Sequence, residues 1–143
     1  MPTRYGSRLH EHDGVAPDDA AVVSILRSSG AIILGKTATT EFAATSQGGP
    51  CANPLDLRRT PGGSSSGSAA AVADFHCPIS LGTQTGGSMI RPASFTGIFG
   101  MKVSYHKADP LTWFVTQETL LSIPIANLGC ALYRGRGQIF HHL

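Results

Sequence analysis

The sequence is poor in charged residues and in tryptophan, and this limits the kinds of molecule that the protein is expected to bind. Only 14% of its 143 residues are charged, where roughly 25% is usual for a soluble domain. Two explanations stay open: a composition rich in Gly, Ala and Ser, or a chain cut from a larger fold whose other parts cover some of its surface. The net charge is +2, there is a single tryptophan, and the basic residues form no stripe. Nucleic acid is therefore not an expected partner.

Long apolar runs and paired cysteines are absent as well. No apolar stretch approaches the ~20 residues that a membrane-spanning helix needs, so no membrane partner is expected. The first seven residues lack the apolar core of a secretory signal. The three cysteines, Cys51, Cys77 and Cys130, are odd in number, lie far apart and form no Cys-x-x-Cys pair. We therefore expect reduced thiols and a cytoplasmic protein.

The sequence has few residues at the spacings that are typical of metal ligands. His10 and His12 stand two residues apart near the N-terminus, but no third and fourth ligand follow at a useful spacing. Solvated loop residues are the plainer interpretation of this pair. The sequence accordingly predicts no metal site and no cofactor.

The order of predicted elements is that of an α/β protein. A helix is expected to begin near Pro17 and to end at Gly30, because apolar residues recur between them at helical spacing. A buried strand is expected over residues 31–34. Turn residues dominate residues 43–63, and residues 64–68 lead into a small-residue helix at 69–73. A short strand is expected at 78–82 and a short buried strand near 97–103. Beyond about residue 104 the apolar residues recur with no regular period.

Two glycine-rich segments that carry serines stand out. The first glycine loop is residues 61–68, PGGSSSGS, and the second glycine loop is residues 82–88, GTQTGGS. Glycines around a serine allow close approach of the backbone to a substrate, and they let N–H groups point at a developing negative charge. A serine there still needs a base to become a nucleophile. Taken alone, the first loop could equally be a flexible linker and the second an ordinary turn.

Two familiar motifs match parts of the sequence, but neither stands in the structural context that it requires. Residues 63–67 fit the Gly-x-Ser-x-Gly elbow of α/β-hydrolases, but that elbow follows directly on a strand, and residues 56–62 cannot form one. Residues 35–37, Gly-Lys-Thr, match the end of a P-loop, and Gly30 stands at the spacing of its first glycine, but residues 31–34 between the two glycines are the apolar run that predicts a strand rather than a phosphate-binding loop. A nucleotide-binding module is therefore a poor interpretation.

The ordered series of motifs resembles the amidase signature family. The matching segments are GKT at 35–37, EFA at 41–43, Asn53-Pro54, residues 61–73, residues 82–88, RPAS at 91–94 and Gly97, with PT at 2–3 and YGS at 5–7. The resemblance covers roughly residues 1–105, which we treat as a partial amidase signature domain. Residues 106–143 are treated as a divergent or aberrant tail; a frameshifted or mis-spliced end and a genuine divergence both stay open.

The resemblance implies a partial α/β fold, a mixed sheet flanked by helices, and hydrolysis of a small-molecule amide through a serine acyl-enzyme. By motif, Ser88 matches the nucleophile, and Ser64, which follows a cis peptide bond in the family, matches the serine that relays its proton. The N–H groups of Thr85, Gly86 and Gly87, with that of Ser88, match the oxyanion hole. Ser65 is expected to support the relay by hydrogen bonding, and Arg91 to anchor the loop.

The family's catalytic lysine, which lies in an upstream Lys-Asp segment, has no counterpart in this sequence. Lys36 belongs to the Gly-Lys-Thr motif and is expected to be structural. Without a neutral lysine as base, Ser88 would keep roughly the reactivity of an ordinary alcohol, so the chain alone is expected to be inactive. The alternative is a truncated gene product or binding remnant without catalysis. The identity of the amide and the oligomeric state are not predicted.

Overall fold

The computed structural model describes residues 1–102 and the backbone of residues 128–133. Within these residues the regular elements are three α-helices and three strands, joined by loops and two short 3-10 helices, Arg8–His10 and Glu41–Ala43. The elements are Ala21–Ser28 (α1), Ser66–Ala73 (α2), Ile79–Thr83 (β1), Ile90–Thr96 (α3), Phe99–Lys102 (β2) and Leu128–Tyr133 (β3). The prediction of an α/β chain is confirmed.

The described sheet has the strand order β1-β3-β2, and both pairs are antiparallel. Gly82 of β1 lies opposite Cys130, and Gly100 of β2 lies opposite Leu132. The central strand therefore comes from the segment that the sequence analysis treated as a tail. The second glycine loop begins where β1 ends, so the sheet fixes its position.

A small apolar core joins α2 and α3 on one side of the second glycine loop. The two helices and the loop contribute side chains that are almost wholly buried, with partly buried residues packed against them. The buried members are Ala69, Val72, Met89 and Ala93, and the partly buried ones are Cys77 and Ile98. Because Met89 directly follows Ser88, the core holds the end of the second glycine loop in place.

Helix α2 packs closely on its neighbours because its side chains are small. The Ser68 hydroxyl donates a hydrogen bond of 2.7 Å to the carbonyl oxygen of Leu81 in β1. On another side of α2, the N–H of Gly67 donates to the carbonyl of Ala38 at 2.9 Å. The small-residue sequence thus lets the helix backbone approach both β1 and the extended segment before it.

Several sequence predictions agree with the structure. The small-residue helix and both predicted short strands form within a few residues of their expected bounds. Helix α1 begins at Ala21 rather than near Pro17, but it ends as predicted: Gly30 adopts a φ of +85°, and the N–H of Ala31 donates to the carbonyl of Leu26. No helix was predicted at 90–96, where α3 lies.

The predicted buried strand at 31–34 is wrong. These residues form no strand, and Ile32 and Leu34 are 85% and 70% exposed. A strand needs a hydrogen-bonding partner, and residues 32–34 have none within the described part of the chain. The last predicted strand forms as β2, but it is not buried, since Phe99 is 69% and Met101 53% exposed.

No helix within the described residues is both long and apolar enough to cross a membrane.

Candidate active site

The first glycine loop is buried along its whole length. Ser64 is 1% and Ser66 0% exposed, and the Ser64 hydroxyl finds no hydrogen-bond partner among the described residues. The peptide bond between Gly63 and Ser64 is cis, as the family resemblance implied. Buried hydroxyls without a partner are rare, so Ser64 has a donor and an acceptor that are free to interact with another group.

The backbone of Ser64 is held firmly although its side chain is not. The carbonyl oxygen accepts hydrogen bonds from the N–H of Thr40 at 3.2 Å, from the hydroxyl of Thr39 at 3.1 Å and from the N–H of Ser66 at 2.9 Å. Three donors on one carbonyl fix the main chain on that side. The orientation of the Ser64 hydroxyl can therefore change only by rotation of its side chain.

The second glycine loop presents a row of free backbone donors. The N–H groups of Thr85, Gly86, Gly87 and Ser88 donate to no acceptor in the described part of the chain. Thr85 and Gly86 are exposed, and a Cβ added to Gly86 would meet no atom within 4 Å. Consecutive N–H groups beside open space form a place where a negatively charged oxygen can bind.

Ser65 brings the two loops into contact. Its N–H donates to the carbonyl oxygen of Ser88 at 3.2 Å. Its hydroxyl donates to the carbonyl of Thr83 at 3.1 Å and accepts from the N–H of Thr83 at 3.0 Å. Gly82 has to lack a side chain here, because a Cβ would lie 2.6 Å from the Ser65 hydroxyl oxygen. Ser64 and Ser88, the two serines singled out by sequence, therefore lie on segments that touch.

Gln84 closes the second glycine loop, a role that sequence reasoning missed. Its side chain is almost fully buried, and Oε1 accepts hydrogen bonds from the N–H of Met89 at 2.8 Å and of Ile90 at 2.9 Å. The loop is therefore tied at both ends, with Ser88 between them. The sequence feature that could have revealed this role is a polar side chain, able to accept hydrogen bonds, that directly follows a strand and precedes a turn and a helix.

Replacing Gln84 with leucine is expected to lower the free energy of unfolding by about 2 kcal/mol, because two buried N–H groups lose their acceptor. Urea denaturation measures this. Gln47→Leu is the matched control, since Gln47 is exposed and its side chain makes no hydrogen bond within the described residues. Equal stability of the two variants would contradict the assigned role of Gln84.

The described cysteines are poor candidates for a nucleophile. Cys51 and Cys77 are free thiols that are partly buried, and this burial raises the pKa of both above the ordinary value of 9.0. A hydrogen bond with Ser66 opposes part of this rise at Cys51. The reactive form of cysteine is the thiolate, so both groups stay protonated and unreactive near neutral pH.

The raised thiol pKa values predict a loss of stability in alkaline solution. Because the folded chain favours the protonated thiols, their contribution is complete below the unfolded pKa and is lost as the pH rises through and above about 8.5 to 9. Unfolding measured between pH 7 and pH 10 should show a smaller decline in a Cys51→Ala, Cys77→Ala double variant than in the unaltered chain. Parallel declines would contradict the prediction.

Among the described residues, the side chain of Lys36 makes its hydrogen bonds to the N-terminal segment and to neither glycine loop. Its ammonium group donates to the carbonyl oxygen of Met1 at 2.9 Å and to the hydroxyl of Thr3. It thus anchors the N-terminal segment. His10 pairs with Asp13 at 2.6 Å, and no group of three or more His, Cys, Asp or Glu side chains among the described residues could hold a metal ion.

The family model described as Amidase matches residues 1–109. The A-subunit of glutamyl-tRNA(Gln) amidotransferase from Acidothermus cellulolyticus is 52% identical over 110 residues, which are 73% of this chain and 22% of the relative.

Two solved structures are similar in fold. The crystal structure of the glutamyl-tRNA(Gln) amidotransferase A-subunit from Thermotoga maritima matches with a TM-score of 0.68 and 39% identity, over 73% of this chain and 24% of that one. Peptide amidase from Stenotrophomonas maltophilia matches with a TM-score of 0.65 and 37% identity, over 73% of this chain and 23% of that one.

The fold is that of amidase signature proteins, a class of amidase-type hydrolases. The chain belongs to the Amidase family. It spans about a fifth of the length of the curated relatives that it matches, at 22% of the first of them.

Proposed function

We propose that this chain carries the nucleophile and the proton-relay serine of an enzyme that hydrolyses the carbon–nitrogen bond of a small-molecule amide. Ser88 is the nucleophile and Ser64 the relay. The N–H groups of Thr85, Gly86 and Gly87, with that of Ser88, form the oxyanion hole. Ser65 supports the relay by holding its own loop against the end of β1.

The reaction proceeds in two displacements. The Ser88 hydroxyl oxygen attacks the amide carbonyl carbon, and its proton passes to the Ser64 hydroxyl while Ser64 passes its own proton to a base. The carbonyl oxygen becomes negatively charged and accepts hydrogen bonds from the free N–H groups. Collapse of this intermediate breaks the C–N bond, the departing nitrogen takes up a proton along the same relay, and water then releases the acid from Ser88.

The observation that carries the proposal is the row of four N–H groups, from Thr85 to Ser88, that donate to no acceptor in the described part of the chain. Losing one donor of this kind typically costs about 3–4 kcal/mol of barrier in a hydrolase, so N–H groups that are left available to a forming anion support this function. The unpartnered hydroxyl of Ser64 supports the same interpretation, because a relay has to exchange hydrogen bonds during the reaction.

The base is a separate part of the proposal. The amidase signature relay ends on a lysine, and Lys36 is unsuited to this role because its ammonium is engaged by Met1 and Thr3. We propose that the base lies outside these 143 residues and that the isolated chain does not turn over amides. The second candidate, a non-catalytic gene product or binding remnant, is favoured by the same observation.

Cytoplasmic location belongs to the proposal and is supported by the free thiols of Cys51 and Cys77. The relatives from Acidothermus and Thermotoga are named as amidotransferase subunits, which supports a partner protein as part of the proposal. The division of the chain at about residue 105 stays a prediction.

Labelling with a fluorophosphonate tests the nucleophile on the protein expressed from its complete gene. Because trypsin cuts poorly before proline, one peptide, residues 60–102, contains both Ser64 and Ser88, and fragmentation in the mass spectrometer must locate the adduct. We expect a single adduct on Ser88. Labelling of Ser64 instead, or of no serine in an enzyme that hydrolyses amides, would contradict the assignment.

Amide turnover separates the two candidate functions. The isolated 143-residue chain is expected to release no product above background, and the protein from the complete gene is expected to release acid and amine. Activity of the isolated chain would contradict the proposed external base. An inactive and unlabelled product of the complete gene would favour the non-catalytic alternative.

A further inference from the structure

The side chain of Arg91 spans the two glycine loops. Its Nη1 donates a hydrogen bond of 2.7 Å to the carbonyl oxygen of Gly63, and its backbone N–H donates to the carbonyl of Gly87 at 2.9 Å. A Cβ placed on Gly87 would lie 3.0 Å from Nη2 of the same guanidinium. The charged group therefore rests along the backbone of the second loop while it binds the first.

Ser64 lies between two connections to the second loop. On its C-terminal side, the N–H of Ser65 donates to the carbonyl oxygen of Ser88. On its N-terminal side, the carbonyl of Gly63 accepts from Arg91, which is three residues beyond Ser88. The residue before Ser64 and the residue after it are thus both bound to the segment that carries Ser88.

We propose that Arg91 is a positioning residue that holds the relay serine in line with the nucleophile, an inference that rests on the function proposed above. It acts through Gly63 and touches no reacting atom. Removing it leaves Ser64 connected to the second loop on one side only. Transfer of the proton from Ser88 to Ser64 depends on a hydrogen bond of good geometry, so the chemical step suffers and substrate binding does not.

Arginine suits this position for physical reasons. It keeps its charge at every accessible pH and presents several donors in one plane, and a charged donor makes a shorter and stronger hydrogen bond to a carbonyl than a neutral one. In the described part of the chain Arg91 makes no ion pair with a carboxylate. Its bonds therefore go to the two loop backbones rather than to an acidic side chain.

Kinetics of three variants test the proposal on the protein expressed from its complete gene, with rates expressed per serine that titrates with fluorophosphonate. Arg91→Ala is expected to lower kcat by about 10- to 100-fold, the range for loss of a hydrogen bond to a charged group, with KM changed less than threefold. Arg91→Lys should recover part of this loss. Added guanidinium ion should raise kcat of Arg91→Ala severalfold and leave the unaltered protein unchanged.

Arg8→Ala is the matched control, since Arg8 is exposed and its side chain makes no hydrogen bond or ion pair within the described residues. It should keep kcat and KM within twofold. A kcat of Arg91→Ala equal to that of the control would overturn the proposal. So would a loss in Arg91→Ala that appears only in KM, or one that neither lysine nor guanidinium ion reduces.

Amide hydrogen exchange gives a readout that does not need activity. The N–H of Ser65, which donates to Ser88, should exchange at least about 10-fold faster in Arg91→Ala than in the Arg8→Ala control, because losing one connection raises the rate of local opening. Unchanged exchange would show that Arg91 does not hold the loops together. If the unaltered protein neither takes the label nor hydrolyses amides, the proposed function is wrong, and exchange alone then decides whether Arg91 connects the loops.

Discussion

Replacing Ser88 with alanine is expected to lower kcat/KM for amide hydrolysis by about 10⁴- to 10⁶-fold, as loss of the nucleophile does in other serine hydrolases. The oxyanion hole and the binding surface stay intact, so a small residual rate and an almost unchanged substrate affinity should remain. Initial rates with an amide substrate, measured on the protein from its complete gene, give both quantities. Fluorophosphonate incorporation should fall to background in the same variant.

Ser94→Ala is the appropriate control for Ser88→Ala. Ser94 lies on α3 only six residues further on, but it is exposed and its hydroxyl makes no hydrogen bond within the described residues. Its replacement should leave kcat/KM within twofold. A Ser88→Ala enzyme that keeps more than a tenth of the original rate would show that the nucleophile lies elsewhere.

Replacing Gly67 with alanine is expected to destabilise the chain by about 3 kcal/mol or more. Within an ordinary helix the same change stabilises by about 1 kcal/mol. Here the added Cβ would lie 2.5 Å from the backbone nitrogen and 2.6 Å from the carbonyl oxygen of Ala38, too close for any carbon. The Gly67 N–H also donates to that carbonyl, so relieving the clash breaks a hydrogen bond, and overpacking of this kind is costly.

Urea denaturation of the Gly67→Ala chain measures the effect, and Gly14→Ala provides the reference. A Cβ at Gly14 would meet nothing within 4 Å, and its φ lies outside the left-handed region, so alanine there should be neutral or slightly stabilising. Gly67→Ala as stable as Gly14→Ala would mean that α2 does not pack against the extended segment in the way described.

Local chemistry in the sequence predicts much of the fold. The end of α1 at Gly30, the small-residue helix α2 and the short strand β1 follow from turn residues and periodicity alone. The segment at 31–34 was mispredicted because an apolar run predicts a strand only if another strand pairs with it, and pairing is not encoded locally. Helix α3 was missed because its first residues include Pro92 and its start depends on a hydrogen-bond acceptor six residues away.

The candidate site, like the fold, is predicted by the sequence only in part. The positions of Ser64 and Ser88 come from the order of motifs, and the free N–H row follows from glycines in a turn. The contact of Ser65 with Ser88 and the connection of Arg91 to Gly63 are tertiary, since they join residues 23 and 28 positions apart. No periodicity or spacing within either loop contains that information.

The carboxamide of Gln84 has a consequence for the availability of the serine. A serine just before a helix commonly acts as its N-cap, with its oxygen accepting from the first turn. Gln84 accepts from Met89 and Ile90 instead, and the hydroxyl of Ser88 is not drawn into capping α3. Because a side chain that directly follows β1 takes the place of the cap, the Ser88 oxygen keeps its lone pairs free of the described residues and able to form a bond to carbon.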